Sequence, residues 1–183
     1  QPLGLQLVVK EVCKFLRATF PATINIRQSF TEPTSIIFGD PIQMHQVLMN
    51  LCANAEHAMR GSGGLLELRL DLVMGEPDGI GTHPDLQGGA YVRLTVRDTG
   101  SGMTSEVAQR IFDPFFTTKR VGEGTGMGLA VVHGIVISHG GVIYVESEPG
   151  QGTTFSIYFP EMEERSIQEE EDPFQQEIFM GRG

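Results

Sequence analysis

The sequence predicts an α/β domain, and three observations carry that prediction. Runs of helical period alternate with runs of strand period through residues 1–160. Two of the strand runs flank a Pro149-Gly150 turn and read as a hairpin. A glycine-rich stretch, residues 122–128, opens directly into an apolar helix. The length of 183 residues fits one domain with a tail, and an apolar share of 40% is enough to fill a sizeable core.

Leu5, Val8, Val9, Val12, Phe15 and Leu16 mark the apolar face of a first helix over 5–20, which Pro21 stops. Ile24, Ile26 and Phe30 alternate with polar neighbours as a strand, and 35–38 reads as a short second one. Asp40-Pro41 is a strong helix start: Asp caps free N–H groups, and Pro is preset for the first helical position. Wound at about 100° per residue, the helix over 41–60 puts Met44, Val47, Leu48, Leu51, Ala55, Ala58 and Met59 on a core-facing arc. Gln43, Gln46, Asn50, Asn54 and His57 form the adjoining stripe. It is polar but uncharged, whereas a solvated face would carry Lys and Glu.

Residues 65–73 alternate as a strand, 75–89 form a loop rich in Gly, Pro and Asp, and a strand over 90–97 delivers Asp98 at its end. Residues 104–111 read as a short helix. Residues 112–125 have no consistent period and hold Pro114, so they read as a long loop of the kind that serves a function. The next helix, 127–139, turns Val131, Val132, Ile135 and Val136 inward and ends at Gly140-Gly141. The hairpin strands are 142–146 and 153–159, and Pro160 closes the fold.

The net charge of −10 is unevenly spread. Residues 161–183 carry eight acids against two bases, −6 of the total, and read as an acidic linker behind a domain at 1–160. No basic stripe is present to track a nucleic-acid backbone. Cys13 and Cys52 fit no metal spacing and lie in apolar helical patterns, as buried thiols of a reducing compartment do. No apolar run is long enough to span a bilayer, so the expectation is a cytoplasmic fragment without direct membrane contact. The first residue is Gln1, which reads as a piece of a longer protein.

Residues 98–129 hold the chemistry. Asp98 ends a strand and is followed by Gly100 and Gly102, which let backbone approach a ring closely. A carboxylate accepts hydrogen bonds only. Adenine offers an amino donor where guanine offers a carbonyl, so a buried acid there selects adenine, by about tenfold to a hundredfold for one charged hydrogen bond. Asp-Thr-Gly is also an aspartic-protease signature, but that chemistry needs two carboxylates sharing a proton, and this chain has one copy. Gly122 to Gly128 would bare the N–H groups of a helix start for phosphate, with Lys119 and Arg120 just before it. The run matches neither common phosphate loop. Asn50 and Asn54 lie one turn apart, so their amides point the same way. Neutral oxygens suit Mg²⁺ when a triphosphate supplies the negative charge, and neither amide can act as a general base.

Four stretches, Asn50 to Ala55, Asp98 to Gly102, Phe112 to Phe116 and Gly124 to Leu129, together resemble the four boxes of the sensor histidine kinase catalytic domain. That family belongs to the superfamily that also holds DNA gyrase, MutL and the large heat-shock chaperone ATPases. The resemblance covers 1–160. It implies the Bergerat fold: a two-layer sandwich, with a mixed, mostly antiparallel sheet, helices on one face and ATP under a mobile lid.

It further implies Asn54 as the Mg²⁺ ligand with Asn50 beside it, and Asp98 on the adenine amino group with Thr153 in support. His57, Ala58 and Met103 would border the nucleotide, and Gly100, Gly102, Gly126 and Gly128 would shape its cleft. Phe112, Thr117, Thr118, Lys119, Gly124, Thr125, Met127 and Leu129 would complete the lid side. Lys119 and Asn50 carry the catalytic expectation. Hydrolysing relatives have Glu where this chain has Asn50, which favours phosphoryl transfer to another group over transfer to water.

The family's phosphoacceptor histidine sits on a separate dimerisation hairpin. None of His45, His57, His83, His133 or His139 occupies such a motif, so the fragment would lack its own acceptor. The resemblance then implies a homodimeric full-length kinase, its own dimerisation domain as one partner and a response-regulator receiver domain, separate or fused, as another. Two rival readings stand beside it: an ATPase of the same superfamily, and a non-catalytic nucleotide-sensing module.

Overall fold

Alternation and capping fix the elements in a computed structural model, which describes residues 1–31, 36–75, 85–119, 122 and 127–162. In chain order they are β1 (Pro2–Gly4), α1 (Leu5–Thr19), β2 (Ile24–Phe30), β3 (Ile36–Phe38), α2 (Pro41–Ala58), β4 (Gly64–Gly75), β5 (Gly89–Asp98), α3 (Ser105–Ala108), α4 (Gly128–Ser138), β6 (Val142–Glu148) and β7 (Gly152–Pro160). The expected strand residue Ser35, most of the 75–89 loop and the acidic segment from 163 onward lie outside the described residues.

Five strands form one sheet in the order β2-β4-β5-β7-β6. Only β2 and β4 run parallel; the other pairs are antiparallel. A parallel pair needs a crossover, and β3 with α2 supplies it. The sheet is therefore mixed and mostly antiparallel, with its helices on one face, as expected.

The helix α1 buries Leu5, Val8, Val9, Val12, Cys13 and Leu16. The helix α2 buries Met44, Val47, Leu48, Leu51, Cys52 and Ala55, and Asp40 caps it by accepting from the N–H groups of Ile42 (2.8 Å) and Gln43 (3.4 Å). These faces pack on Leu66, Leu68 and Leu70 of β4, Val92, Leu94 and Val96 of β5, and Phe155, Ile157 and Phe159 of β7. Each such side chain contributes about 1.5–3 kcal/mol when fully buried. On the opposite face Arg93 donates from Nε to Asp71 Oδ1 at 2.9 Å, and Tyr144 donates to Asp85 Oδ2 at 3.0 Å.

Two elements differ from the sequence expectation. Strand β1 carries no alternation over three residues and forms because β3 offers an edge: Pro2 opposes Phe38 and Gly4 opposes Ile36. The helix expected over 104–111 shrinks to the single turn of α3, which Thr104 caps by accepting from the Val107 N–H at 3.3 Å. Beyond it the chain makes successive turns, with Arg110 N–H donating to Val107 O and Asp113 N–H to Arg110 O. Two turns are too few to sustain a helix alone, and Pro114 biases the residue before it away from helix.

Two glycines give opposite expectations. Gly134, inside α4, has open space where a Cβ would stand, so Gly134→Ala gains helix propensity and should stabilise the domain by about 0.5–1 kcal/mol. Gly102 has φ +68°, and a Cβ there would lie 1.9 Å from the Glu148 carbonyl oxygen. Gly102→Ala should cost about 2 kcal/mol or more. Thermal melts of the two variants should shift in opposite directions.

Candidate functional site

The strand register brings the polar residues together. Leu66 of β4 opposes Asp98 of β5, Asp98 opposes Thr153 of β7, and Thr153 opposes Ser147 of β6. Cross-strand partners share a face, so Asp98, Thr153 and Ser147 form a row on the face that carries the helices. Asp98 and Thr153 are each only 6% exposed. Asp98 Oδ1 accepts from the Gly100 N–H at 2.8 Å. Burial pushes its carboxyl above the usual carboxylate range, and the Gly100 and Thr153 N–H groups pull it partly back. The acid is thus held ionisable but poorly solvated, ready for a donor.

The loop after Asp98 is wedged against α2. The Ser101 N–H donates to the Ala58 carbonyl at 3.1 Å. A Cβ on Gly100 would lie 2.7 Å from Ala58 Cβ, so glycine is what allows the approach. On its other side the Gly150 N–H donates to Ser101 O at 2.7 Å. Ala58, expected on the core arc, is accordingly only half-buried.

On α2, Asn50 donates from Nδ2 to the Gly128 carbonyl at the start of α4, 3.3 Å away. Asn54 Oδ1 accepts from Lys119 Nζ at 3.1 Å. The first turn of α4 has no side-chain cap from Met127, and a helix start of this kind presents N–H groups without intrahelical partners.

These groups surround one cleft of about 390 Å³, within the range of small-molecule sites. Asn50, Asn54, His57, Ala58, Asp98, Gly102, Met103, Thr117, Thr118, Lys119, Gly128, Leu129 and Thr153 all line it. Three expected residues stand outside its wall. Gly100 packs on Ala58, Phe112 lies behind with its ring 5.3 Å from His133 and 6.4 Å from Phe155, and Met127 is the N-cap of α4. Gly124, Thr125 and Gly126 lie outside the described residues.

The wall also includes Ala53, Ser101, Val107, Ile111, Phe116 and Phe155, which sequence reasoning did not single out. Phe155 was legible as the inward neighbour of Thr153 at period two, and Val107 and Ile111 as a pair four apart. Phe116 ends the Phe112 to Phe116 box, and the Arg110 guanidinium lies 4.5 Å from its ring centre, a contact the sequence does not signal.

The Asn54 carbonyl oxygen already holds a cation, the Lys119 ammonium, so the site fits a metal that takes oxygen ligands. Among the described residues no group of three or more His, Cys, Asp or Glu gathers to hold a metal ion, at the cleft or away from it. A Mg²⁺ bound by one or two amides would depend on substrate phosphates and water for the rest of its shell. His139 is structural: its Nε2 accepts from the Asp40 N–H at 3.3 Å, and its Nδ1 lies 2.8 Å from the Ile135 carbonyl. His45 is exposed, and His83 lies outside the described residues. Among the described residues, no helix is long and apolar enough to cross a membrane.

Residues 39–163 match the family described as histidine kinase-, DNA gyrase B-, and HSP90-like ATPase. Over 120 residues the chain is 45% identical to the sensor kinase CckA of Brucella abortus, covering 66% of this chain and 13% of that protein. The catalytic domain of the histidine kinase ThkA superposes with a TM-score of 0.70 at 26% identity, covering 87% of this chain and 94% of that one. Full-length ShkA in complex with AMPPNP gives 0.69 at 26% identity, over 88% of this chain and 31% of that one. The chain therefore spans only a small part of the full-length kinases it matches. It belongs to the histidine kinase-, DNA gyrase B- and HSP90-like ATPase family, and within it to the catalytic ATP-binding domains of sensor histidine kinases.

Proposed function

We propose that this domain holds Mg·ATP across the cleft and, in a longer protein, passes the γ-phosphoryl group to a histidine on a separate dimerisation domain. The observation that carries the reading is that the Asp98 and Asn54 side chains open into one cavity, which also receives the start of α4. The adenine amino group donates to Asp98, with Thr153 beside it. The phosphates lie at the N-terminus of α4, where the helix dipole and the N–H groups of the first turn favour negative charge.

Asn54, with Asn50 next to it, holds the metal. Mg²⁺ held there would supply positive charge against the negative charge that develops in phosphoryl transfer. Lys119, already at the mouth of that site, serves the same charge from the lid. Asn50 has no basic atom with which to take a proton from water. This supports an imidazole acceptor from another domain over hydrolysis. The remaining work is positioning and charge stabilisation, the main terms in phosphoryl transfer.

In this reading the intact protein is a cytoplasmic or membrane-tethered homodimer with its catalytic domain in the cytoplasm. The phosphohistidine passes its group to a receiver domain of a response regulator. Residues 161–183 are the linker behind the catalytic domain.

Nucleotide titration tests the base contact. Asp98→Asn replaces an acceptor with a group that presents a donor, and ATP affinity should fall by about tenfold to a hundredfold, with GTP weak in both proteins. An unchanged ATP affinity would sink the assignment of Asp98. The raised carboxyl adds a pH signature. ATP affinity should decline on acidification, starting at a higher pH than an ordinary carboxylate would set, and Asp98→Asn should retain only the part due to phosphate titration.

The transfer step has its own test. The isolated domain should turn over little ATP alone, should label a supplied histidine hairpin domain from its own protein, and should lose that labelling in Asn54→Ala. Rapid ATP hydrolysis without an acceptor would favour the ATPase reading.

A further inference from the structure

Ser147 is not part of the cleft wall, yet it is the hub of the polar row behind it. Its hydroxyl has one proton and three partners. Ser147 Oγ accepts from the Met103 N–H at 2.8 Å. It also lies 3.1 Å from the Gly152 carbonyl oxygen and 2.8 Å from Thr153 Oγ1. A carbonyl can only accept, so the bond to Gly152 uses the single Ser147 proton. The remaining short contact is then satisfied in one way: Thr153 donates its own hydroxyl proton to Ser147. Every hydrogen-bonding position of Ser147 is filled in that arrangement, as a half-buried polar group requires.

The consequence falls on Thr153. With its proton committed to Ser147, its oxygen offers only lone pairs to the cleft. Asp98, its register partner on β5, is an acceptor as well. Two neighbouring acceptors of fixed polarity can receive an amino group directly. They can also hold one water by both of its protons, leaving only that water's lone pairs toward the ligand. Either way the surface facing the base accepts hydrogen bonds and donates none.

We propose that Ser147 is a positioning residue for base selection. By taking the Thr153 proton, it stops that hydroxyl from turning to donate to a ring carbonyl. Adenine is favoured by its amino group, and 6-oxopurines are rejected by two acceptors instead of one. The inference rests on the proposed placement of the base against Asp98.

The experiment measures affinities for ATP and ITP in the presence of Mg²⁺. Hypoxanthine carries a carbonyl and a protonated N1 where adenine has its amino group and a bare N1, and it lacks the 2-amino group of guanine, so the pair reports on the donor and acceptor polarity of that edge alone. Ser147→Ala frees the Thr153 hydroxyl to rotate. The ATP-to-ITP preference should narrow by about tenfold, mainly through tighter ITP binding, as expected for one neutral hydrogen bond regained. Ser147→Thr keeps the hydroxyl and should keep the wild-type ratio. Adding Ser147→Ala to Thr153→Val should leave the ratio of Thr153→Val unchanged.

Should Ser147→Ala not fold, Ser147→Cys, a poor acceptor of similar shape, should narrow the ratio in the same direction. Equal weakening of both nucleotides, or an unchanged ratio in every Ser147 variant, would mean that Ser147 only supports the hairpin, and the proposal would fall while the placement of the base stands. If the wild-type domain does not distinguish ATP from ITP, the placement of the base itself is wrong, and this inference goes with it.

Discussion

The cleft depends on one junction, where the end of α2 meets the loop that follows β5. The Ala58 carbonyl belongs to the last turn of a helix and lacks an intrahelical partner. The Ser101 N–H satisfies it at 3.1 Å, and the absence of a Cβ on Gly100 lets the two backbones close to that distance. Thr99 ties the same loop to β4: its N–H donates to the Leu65 carbonyl at 3.2 Å, and its Oγ1 accepts from the Leu65 N–H at 2.9 Å. Gly102 is pressed on the Glu148 carbonyl of β6. Residues 99 to 102 thus lock a helix to the end of the central sheet. The acid at the end of β5 and the amides along α2 are held at a fixed separation by backbone contacts, independently of any ligand.

That rigidity allows an uncomfortable group to persist. Asp98 is buried with two backbone N–H donors and a carboxyl pushed above its ordinary range. The folded domain binds this proton more tightly than the unfolded chain does. The contribution to stability is therefore fully present below the unfolded carboxyl value and is lost as pH rises through the raised folded value. At neutral pH the ionised acid costs some folding free energy. The large apolar layer formed by α1, α2 and the sheet offsets it, and on the proposed reading an incoming amino donor relieves it. Strain of this kind is expected where binding has to be selective.

Much of this was legible in the sequence, for identifiable reasons. The Asp40-Pro41 cap, the apolar arc from Met44 to Met59 and the alternation through β4, β5 and β7 are local patterns that tertiary structure reinforces. The polar stripe of α2 was informative because Lys and Glu were missing from it. What the sequence could not supply depends on contact between distant segments. Strand β1 exists only because β3 is there to pair with. Ala58 reads as core by helical phase, yet it is drawn to the cleft edge by Gly100. Ser147 falls just past the strand read over 142–146, and only β-pairing extends that strand and sets it opposite Thr153. Phe112 belongs to a recognisable box but packs behind the wall, on His133 and Phe155, where it supports the site without lining it.

On the proposed reading, the contact between Lys119 and Asn54 gives the cleft a direction. A hydrogen bond from an ammonium to a neutral amide contributes about 1.5–3 kcal/mol, and Lys119 is only partly buried, so solvent screens it further. A divalent ion brought in with a triphosphate offers the same amide oxygen a stronger partner. It also offers the displaced ammonium several phosphate oxygens close by. The exchange moves Lys119 from the helix to the nucleotide without leaving either cation unpaired. Since Lys119 lies at the end of the wall formed by Phe116, Thr117 and Thr118, whatever holds its ammonium also sets where that wall stands. On that reading the wall would be coupled to the metal site through a single side chain, and the coupling would need no contact beyond those two alternatives for one charge.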